Sequence, residues 1–566
     1  MTHPKGAIST AATAVLALLA AIVLLELWTA DLRVPFADTG DATLNLIIIK
    51  DVVENPWYFE VSRLGAPHGL ELYDFPVVSG ETLNLLLFRI LALGSGDPVL
   101  AMNLFFLLTF PLVALTALVA LRRLGVSREA ALVFALLYTL LPYHFLRGET
   151  HLFLAAYYAV PLGAYLALAV YRGDNLVYTR RARLFTAASC AVVATASGSG
   201  YYAVFTVVLV AIAMALRFIV HRRREALVAG GAVIAAITLI SLVQLAPTIA
   251  YRVQHGTNEQ VAKRYWFESE NYSLRLTNLV LPLDDHRIGA LARRKREYTQ
   301  QIPQTEARSA TLGIVATIGL LWLIGLAVAA VAGLRRRYDL GLQAGLAALT
   351  LAALLIATTG GFSTLIAVAW PQIRSWNRLS VFIAFFALAA VALGVDALRG
   401  RVRRPVGVGL LVAILAVGTF DQTTSTYVPS YDAIEADWRA DAAFYDTLER
   451  RLRDGAMIVQ LPYEPFPEPP TPFKGGYEPA KAYLHSDDLR WSYGAMRGRP
   501  EDWAGDHANE PMSELVRDAR QAGFSGLLLD GAPYADHGAA IEAQLRGALR
   551  AEPMRSANGR FLFWRL

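Results

Sequence analysis

The sequence predicts an α-helical polytopic membrane protein of about eleven transmembrane helices, followed by a C-terminal extracytoplasmic α/β domain. Three observations predict this fold class. Of the 566 residues, 55% are hydrophobic and 17% are charged, so the long apolar runs exceed what a soluble core can bury. Arginine clusters alternate with these runs over residues 1–420, the predicted membrane domain. Residues 421–566 have the mixed composition of a soluble domain.

The net charge of +5 does not indicate a nucleic-acid partner, because most arginines lie in short loops between apolar runs, where they orient a chain in the lipid bilayer. Cys190 is the single cysteine, which excludes a disulfide framework. Residues 8–30 could be a signal peptide. However, the bulky Trp28 stands near Ala30 where a cleavage site needs a small residue, so we expect an uncleaved first span.

The arginine clusters determine the predicted topology. Each cluster lies beside an apolar run, and the positive-inside rule places all of them in the cytoplasm. The clusters are Arg122/Arg123/Arg128, Arg172/Arg180/Arg181/Arg183, Arg217/Arg222/Arg223/Arg224, Arg335/Arg336/Arg337 and Arg399/Arg401/Arg403/Arg404. Starting inside at Lys5, the predicted spans are 9–30, 98–121, 129–146, 152–171, 184–196, 200–217, 226–250, 310–333, 341–358, 379–398 and 406–420. The N-terminus is then cytoplasmic and the C-terminus external.

Two large external loops follow from this topology, at 31–80 and 251–309. Segments predicted to lie in the membrane interface bracket the first loop. Residues 80–94 are too short to cross, since a span needs roughly 20 residues; if they did cross, the following clusters would move outside. Residues 43–54 have helical amphipathicity, with Leu44, Ile48 and Val52 on one face and Lys50, Asp51 and Glu54 on the other.

The predicted outer face collects most of the unusual polar residues, and ionisable residues at membrane depth tend to be functional. Asp38 and Asp41, in Asp38-Thr39-Gly40-Asp41 after the first span, either shape a turn and cap the next helix or act on a substrate. An interfacial histidine is more often a satisfied hydrogen-bonding residue than a catalyst. The further candidates for a substrate site are His68, Asp74, His144, Arg147, His151, His286 and Arg287.

Arg374 and Arg378 break the positive-inside pattern, because they lie outside, between Pro371 and the span that begins at Leu379. One turn apart on a helix, they would project in the same direction and could bind a phosphate or pyrophosphate with forked donors. Snorkelling toward lipid headgroups is the alternative. We predict the phosphate role, since two arginines against the orientation rule require a compensating reason. Asn377, between them, belongs to the same predicted site.

The second external loop holds an aromatic and charged segment, Tyr265–Tyr272, which suits sugar rings or an interfacial belt. Asp284-Asp285-His286 could contribute to a metal site, although adjacent residues in a loop are weak evidence for one. In the C-terminal domain the periodicity predicts helices at 440–454, 512–522 and 539–549 and strands at 456–461, 525–529 and 560–566. The proline-rich segment 462–470 is predicted to lie over the mouth of the membrane domain.

Together, these features resemble the GT-C superfamily of polyprenyl-phosphate-sugar-dependent glycosyltransferases. More narrowly, the chain is similar to a largely uncharacterised bacterial family of membrane proteins grouped with GT-C enzymes. The blocks that carry the resemblance are Gly40-Asp41, Leu64-Gly65-Ala66-Pro67-His68-Gly69 with Asp74-Phe75-Pro76, Pro142-Tyr143-His144-Phe145-Leu146-Arg147-Gly148, Leu281-Pro282 with His286-Arg287, and Pro371-Gln372-Ile373-Arg374 with Asn377-Arg378-Leu379-Ser380.

The resemblance implies inverting transfer of a sugar from a polyprenyl-phosphate donor to a hydroxyl of a glycan, lipid or protein acceptor, at the outer face of the bacterial cytoplasmic membrane. It implies Asp41, or else Asp38, as the general base. Arg374 and Arg378 would stabilise the phosphate leaving group. The sequence has Asp-Thr-Gly-Asp where better-known members have an Asp-Glu pair, which leaves open the identity of the base and whether a divalent metal takes part.

Two other functions remain open at this stage. A transporter or translocase of lipid-linked sugars would need repeated halves and binding residues at the bilayer midplane, often at broken helices. No internal repeat is evident, and Ser197-Gly198-Ser199-Gly200 suits a broken helix or a tight outer turn. The other function is that of a non-enzymatic subunit of a cell-envelope complex. It would not explain why acidic residues and arginines are concentrated on the predicted outer face.

Overall fold

The computed structural model describes residues 4–222, 224–302, 305–333, 341–470, 473 and 476–566. The predicted cluster Arg335/Arg336/Arg337 and Arg223 lie outside the described residues. Within them, every predicted span contains a helix. The helices of the membrane domain that match predicted spans are Pro4–Leu24, Pro98–Arg123, Arg128–Thr139, Pro142–Arg147, Leu152–Ala155, Val160–Arg172, Arg180–Thr195, Tyr201–His221, Glu225–His255, Gly313–Val331, Gly341–Ala357, Ser380–Arg399 and Arg404–Gln422.

Eight helices of the described chain are long and apolar enough to cross a membrane. Three shorter apolar helices, Thr10–Leu24, Thr82–Ala92 and Gly341–Ala357, accompany them. The polytopic membrane class is therefore confirmed, and the total of eleven crossings stays a prediction.

Local chemistry explains where several helices begin and end. The Asp97 carboxylate caps the helix Pro98–Arg123 by accepting hydrogen bonds from the amides of Val99 and Leu100, both at 3.0 Å. The predicted span 129–146 is divided into two helices at Pro142. Proline disfavours helical geometry in the residue before it, and Leu141 is extended at φ −54° and ψ 141°.

The segment 43–54 is helical, Asp41–Glu54, but the prediction of an interfacial helix with one polar face in water is wrong. Lys50 and Asp51 are buried, as are the apolar residues of the opposite face. The helix Lys481–Leu484 of the C-terminal domain covers the polar face, where Lys50 Nζ lies 5.5 Å from the ring centroid of Tyr483. The other bracketing helix, Thr82–Ala92, exposes Leu86, Ile90 and Leu93, as an interfacial helix would.

The remaining membrane-domain elements lie in the two large loops. The loop before Thr82 contains a two-stranded antiparallel ribbon of β1 (Glu60–Val61) and β2 (Leu70–Glu71). The loop after His255 contains the helices Glu268–Asn271, Leu276–Val280 and Gly289–Gln301. A later short helix, Phe362–Ala369, precedes the segment that carries Arg374.

The C-terminal domain is built on a mixed five-stranded sheet. Its strands are β3 (Met457–Leu461), β4 (Arg490–Trp491), β5 (Gly526–Asp530), β6 (Met554–Arg555) and β7 (Phe561–Arg565). The order is β4-β3-β5-β7-β6, in which β3 is parallel to β4 and β5, and β7 is antiparallel to β5 and β6. The helices are Tyr431–Glu449, Lys481–Leu484, Trp503–Asp506, Met512–Gln521 and Ala539–Leu549. The predicted α/β class is confirmed.

The loop 31–80 packs against this domain through backbone hydrogen bonds. The amides of Gly65 and Ala66 donate to the carbonyls of Tyr493 and Trp491 at 2.7 and 2.8 Å. Gly65 has φ 71°, and a Cβ there would lie 2.7 Å from the carbonyl oxygen of Gly69, so the turn requires glycine. The loop 31–80 is therefore held between the membrane helices and the sheet.

Candidate active site

A cavity of about 330 Å³ opens between the loop 31–80, the loop 251–309, the C-terminal domain and the segments 150–154, 199–201 and 372–378. Its walls come mainly from loops and helix ends. The lining residues are Asp41, Leu44, Asn45, Phe75, Pro76, Val77, Thr150, His151, Leu152, Phe153, Leu154, Ser199, Tyr201, Ala262, Arg264, Gln372, Arg374, Arg378, Glu468 and Tyr477.

Asp41 is the first residue of the helix Asp41–Glu54 and faces this cavity. Gly40 precedes it at φ 60° and ψ −135°, a backbone conformation that favours glycine. Asp41 is exposed to solvent through the cavity, and the protein that surrounds the cavity desolvates its carboxylate. Burial therefore raises the pKa of Asp41 to about 6; Arg378 and Arg374 oppose this shift, while Glu306 and Glu468 add to it. No described residue makes a hydrogen bond or ion pair with this carboxylate.

Two buried contacts hold the backbone that leads to Asp41. The carboxylate of Glu149 accepts a hydrogen bond from the amide of Ala37 at 3.0 Å. Asp38 accepts one from Lys481 Nζ of the C-terminal domain at 2.7 Å, and Lys481 also lies 3.2 Å from Glu478. Asp38 is thus engaged in an ion pair between domains, whereas Asp41 is available to a ligand.

Arg374 and Arg378 both line the cavity, on the wall that includes Tyr201. They do not share one helix: Arg374 lies in an irregular segment after Pro371, and Arg378 lies in the 3-10 helix Trp376–Leu379. The guanidinium carbon of Arg378 is 4.1 Å from the ring centroid of Tyr201, and that of Arg374 is 4.9 Å from the ring of Tyr272. These rings hold the cations in place.

Glu306 is the carboxylate that neutralises the buried arginines behind this wall. Arg378 donates to it through Nε at 3.1 Å and Nη2 at 2.9 Å, and Arg147 donates through Nη1 at 2.9 Å. Arg147 also donates to Asn377 Oδ1 at 3.1 Å. Burial alone would raise the pKa of Glu306, but the two arginines hold it at about 2. Arg374 has its own partner, Glu268 at 2.9 Å.

His151 lines the cavity beside this group, with Nε2 4.0 Å from Glu306. Burial lowers the pKa of His151 to about 3, and the charge of Arg147 adds to the effect. The imidazole is therefore neutral near pH 7, so it can exchange hydrogen bonds with a ligand but adds no positive charge.

The C-terminal domain contributes Glu468 and Tyr477 to the cavity. Arg264, in the loop 251–309, faces Glu468 and donates two parallel hydrogen bonds to it, at 3.0 and 2.6 Å. Glu468 lies in the proline-rich segment 462–470, which reaches the cavity where the sequence placed it.

Four predicted substrate-site residues do not line the cavity, and each has another task in the structure. Asp74 forms a bidentate pair with Arg499 of the C-terminal domain, at 2.6 and 2.9 Å. His144 is fully buried between Thr109 Oγ1 at 2.8 Å and the carbonyl of Thr139 at 2.9 Å. His286 pairs with Asp421, and Arg287 donates to the carbonyl of Thr423 at 3.0 Å.

His68 also lies away from the cavity, exposed on the loop that packs against the C-terminal domain. The structure thus brings Asp41, His151, Arg374 and Arg378 together in the cavity and places Arg147 and Asn377 directly behind it. Asp38 joins the site only through its pairing with Lys481.

The segment Asp284-Asp285-His286 does not converge on one point. Asp284 pairs with Arg308 at 3.0 Å, and Asp285 lies 3.5 Å from Arg296. Over the described ranges, the group of three donors close enough to share a metal ion is His507, Glu510 and Asp518, in the C-terminal domain and not among the cavity-lining residues.

Sequence reasoning missed Glu306, Arg264, Glu468 and Tyr477 as site residues. The segment that follows Arg264 carried a partial signal, because its aromatic residues suggested sugar binding. Tyr265, Trp266 and Phe267 are instead about half exposed, at 46%, 51% and 47%, and do not line the cavity. They fit an interfacial belt.

No family model and no curated protein matches this sequence. Solved structures do. ArnT from Cupriavidus metallidurans, in the apo state, aligns with a TM-score of 0.50 and 12% identity over 97% of either chain. Arabinofuranosyltransferase AftD from Mycobacteria aligns with a TM-score of 0.49 and 18% identity, over 92% of this chain and 35% of AftD. The Archaeoglobus fulgidus oligosaccharyltransferase, in complex with Zn and sulfate, aligns with a TM-score of 0.47 and 15% identity. The alignment covers 97% of this chain and 72% of the oligosaccharyltransferase chain.

The likeness to ArnT confirms the GT-C-like fold that the sequence resemblance implies. The chain is therefore a polytopic membrane protein with a fold similar to that of ArnT and a charged cavity built from loops and helix ends.

Glu306→Gln should destabilise the protein, because it removes the shared carboxylate and leaves Arg147 and Arg378 buried without a counter-charge. Breaking a buried ion pair from one side costs about 3–5 kcal/mol. Chemical denaturation in detergent, followed by tryptophan fluorescence, measures the loss. Glu297→Gln is the matched control, because Glu297 forms an exposed pair with Arg294 and should change stability by less than about 1 kcal/mol. Equal stability of the two variants would contradict the assigned role of Glu306.

The same pair predicts an acid-sensitive contribution to stability. The pKa of Glu306 falls from 4.5 to about 2 on folding, so its contribution is complete above pH 4.5 and is lost as the pH falls toward 2. Glu306→Gln should lack this component of acid destabilisation, and the Glu297→Gln control should retain it.

Proposed function

We propose that this protein transfers a sugar from a polyprenyl-phosphate-linked donor to an acceptor hydroxyl, with inversion at the anomeric carbon. The observation that carries the proposal is a single cavity in a GT-C-like fold that places the unpaired carboxylate of Asp41 among cationic residues. A base and fixed cations are the two requirements of this reaction.

Asp41 is the proposed general base. With a pKa of about 6, its carboxylate is mostly ionised at pH 7 but basic enough to take a proton as the hydroxyl attacks. The acceptor oxygen forms a bond to the anomeric carbon while the bond from that carbon to the phosphate oxygen breaks. The proton passes to Asp41, and the electron pair leaves with the phosphate. Asp38 is the less suitable base, because Lys481 already holds its carboxylate.

Arg374 and Arg378 are the proposed partners of the leaving phosphate. Each has guanidinium N–H groups left over after its pairing with Glu268 or Glu306, and each faces the cavity. Because the glutamates and the tyrosine rings fix them before the donor arrives, they can stabilise the growing charge without rearranging. Arg147 and Asn377 position this wall, and His151 is a neutral hydrogen-bonding partner for the donor.

We place the site at the outer face of the bacterial cytoplasmic membrane, with the N-terminus cytoplasmic and the C-terminal domain external, on the positive-inside rule. The acceptor class stays open among glycan, lipid and protein. Participation of a divalent metal stays a prediction. Two carboxylates, Asp41 and Glu468, line the described cavity, and the pairing of Glu468 with Arg264 leaves too few free ligands to assign a metal a place.

The transporter alternative receives less support. Ser197–Gly200 is a tight turn between the helices Arg180–Thr195 and Tyr201–His221, so it is not an interruption within one helix. The buried carboxylate of Glu81 fixes this turn by accepting hydrogen bonds from the Ser199 amide at 2.6 Å and Ser197 Oγ at 3.3 Å. The charged residues lie among loops and helix ends, whereas transporter sites lie at the midplane.

Asp41→Asn should lower the rate of sugar transfer roughly 10²–10⁴-fold, the usual contribution of general base catalysis. The rate is measured by incubating purified protein with polyprenyl-phosphate sugars and following sugar transfer. In the wild type, kcat/KM should rise with pH and level off above about 6, because the base acts only when deprotonated. Asp31→Asn, in the same loop but paired with Arg439 at the surface, is the control and should stay fully active.

Asp38→Asn separates the two carboxylates. This variant should reduce the rate of sugar transfer less than Asp41→Asn does, because it only weakens the contact of the loop with Lys481. The pH dependence of kcat/KM should keep its inflection near pH 6. An equal or larger loss with Asp38→Asn, or full activity of Asp41→Asn, would contradict the assignment of the base.

A cysteine at position 68 should react with a membrane-impermeant maleimide added outside intact cells, because His68 is exposed on the proposed outer side. Cys190 is buried and should remain silent. Tyr178→Cys is the opposite-face control, since Tyr178 is 61% exposed in a predicted cytoplasmic loop and should react only after permeabilisation. The reverse pattern would overturn the orientation.

A further inference from the structure

Three arginines line the cavity, and they differ in how firmly their carboxylate partners are held. Glu306, the partner of Arg378, is also bound by Arg147 and does not line the cavity. Glu468, the partner of Arg264, has Arg264 as its one ion-pair partner among the described residues, and it lines the cavity itself. Of these two pairs, Arg264–Glu468 is therefore the one that a ligand can reach directly.

The geometry of the pair matches that of an arginine bound to phosphate. Arg264 uses both terminal nitrogens, Nη1 and Nη2, on the two carboxylate oxygens of Glu468 at 3.0 and 2.6 Å. Such a fork binds carboxylate and phosphate equally well in shape. Glu468 thus occupies the position on Arg264 that a phosphate oxygen pair would take.

Glu468 lines the cavity from an unusual backbone conformation. Its φ is 54°, which is uncommon for a residue other than glycine, and it stands between Pro467 and Pro469. Backbone geometry of this kind clusters at ligand-binding sites. Glu468 also lies near enough to Asp41 that its negative charge helps to raise the pKa of Asp41. Glu468 and Asp41 line the same cavity.

We propose that Glu468 is a substrate-contacting residue supplied by the C-terminal domain. When the donor phosphate binds to Arg374 and Arg378, it also takes the place of Glu468 on Arg264, which lines the same cavity, and the released Glu468 accepts hydrogen bonds from hydroxyl groups of the acceptor. The inference rests on the proposed function, because it assigns partners to the same cavity. It makes the C-terminal domain part of the binding site, beyond supporting the membrane helices.

The exchange is energetically reasonable. Side chains of the pair are 17% and 29% exposed, and partly solvated ion pairs are weak enough to be replaced. A phosphate brings at least one full charge and the same bidentate geometry, so Arg264 loses no hydrogen bonds. The released carboxylate can accept hydrogen bonds from two hydroxyls, which suits the neighbouring oxygens of a sugar ring. The donor would therefore bind first and prepare the acceptor site.

Binding of polyprenyl phosphate without sugar, by purified full-length protein in detergent, tests the exchange without requiring catalysis. Glu468→Gln should bind this probe several-fold more tightly than the wild type, because the internal competitor is removed. Arg264→Gln should bind it about tenfold more weakly, as expected for the loss of charge-assisted hydrogen bonds. The double variant should resemble Arg264→Gln, since the arginine is then absent. The controls remove exposed charges: Lys263→Gln lies beside Arg264 in the sequence, and Glu501→Gln lies elsewhere in the C-terminal domain. Both should bind the probe as the wild type does.

Weaker or unchanged binding of polyprenyl phosphate by Glu468→Gln would overturn the proposal. If the ion pair only supported the structure, substituting either Arg264 or Glu468 would lower the affinity of the protein for the probe. Recovery of wild-type binding in the double variant would overturn it as well. In the transfer assay, Glu468→Gln should raise the KM for the acceptor and lower that for the donor. If the binding pattern holds while the wild type transfers no sugar, the proposed function fails and the exchange at Arg264 stands.

Discussion

The ion pairs of Glu306 with Arg378 and Arg147 are the interaction on which the rest of the site depends. Two buried guanidinium groups in a membrane protein need a counter-charge, since an unpaired buried cation is very costly. Glu306, in the loop 251–309, supplies this counter-charge. Its ion pairs join that loop to the helix end at Arg147 and to the segment after Pro371. Because the pair is shared, Arg378 keeps N–H donors for a ligand while its charge is balanced.

The charged residues that line the cavity come from different parts of the chain. Asp41 comes from the loop 31–80, Arg374 and Arg378 from the segment between Pro371 and the helix Ser380–Arg399, and Glu468 from the C-terminal domain. The same division occurs in the contacts between domains, where Asp38 pairs with Lys481 and Asp74 with Arg499. The C-terminal domain thus fixes the backbone beside Asp41 and beside Phe75, two of the residues that line the cavity.

Composition and periodicity predicted the membrane helices and most of the C-terminal elements, because apolar runs and short-range patterns are local. The predicted topology together with the family resemblance selected Asp41, and the exception to the positive-inside rule selected Arg374 and Arg378. They could not find Glu306, whose partner Arg147 is 159 residues away, nor show that His144 is satisfied in the core. The amphipathic pattern of the helix Asp41–Glu54 predicted that its polar face contacts water at the membrane interface. The C-terminal domain covers that face instead. A single sequence does not show such long-range contacts.

The central claim is that this cavity binds the phosphate of a lipid-linked sugar opposite Asp41. A cryo-EM structure of Asp41→Asn with an intact polyprenyl-phosphate sugar tests it most directly, because the variant should bind the donor without consuming it. We predict phosphate oxygens at about 3 Å, hydrogen-bond distance, from guanidinium nitrogens of Arg374 or Arg378, with the sugar facing position 41. Donor bound elsewhere, with the cavity free of phosphate, would contradict the account.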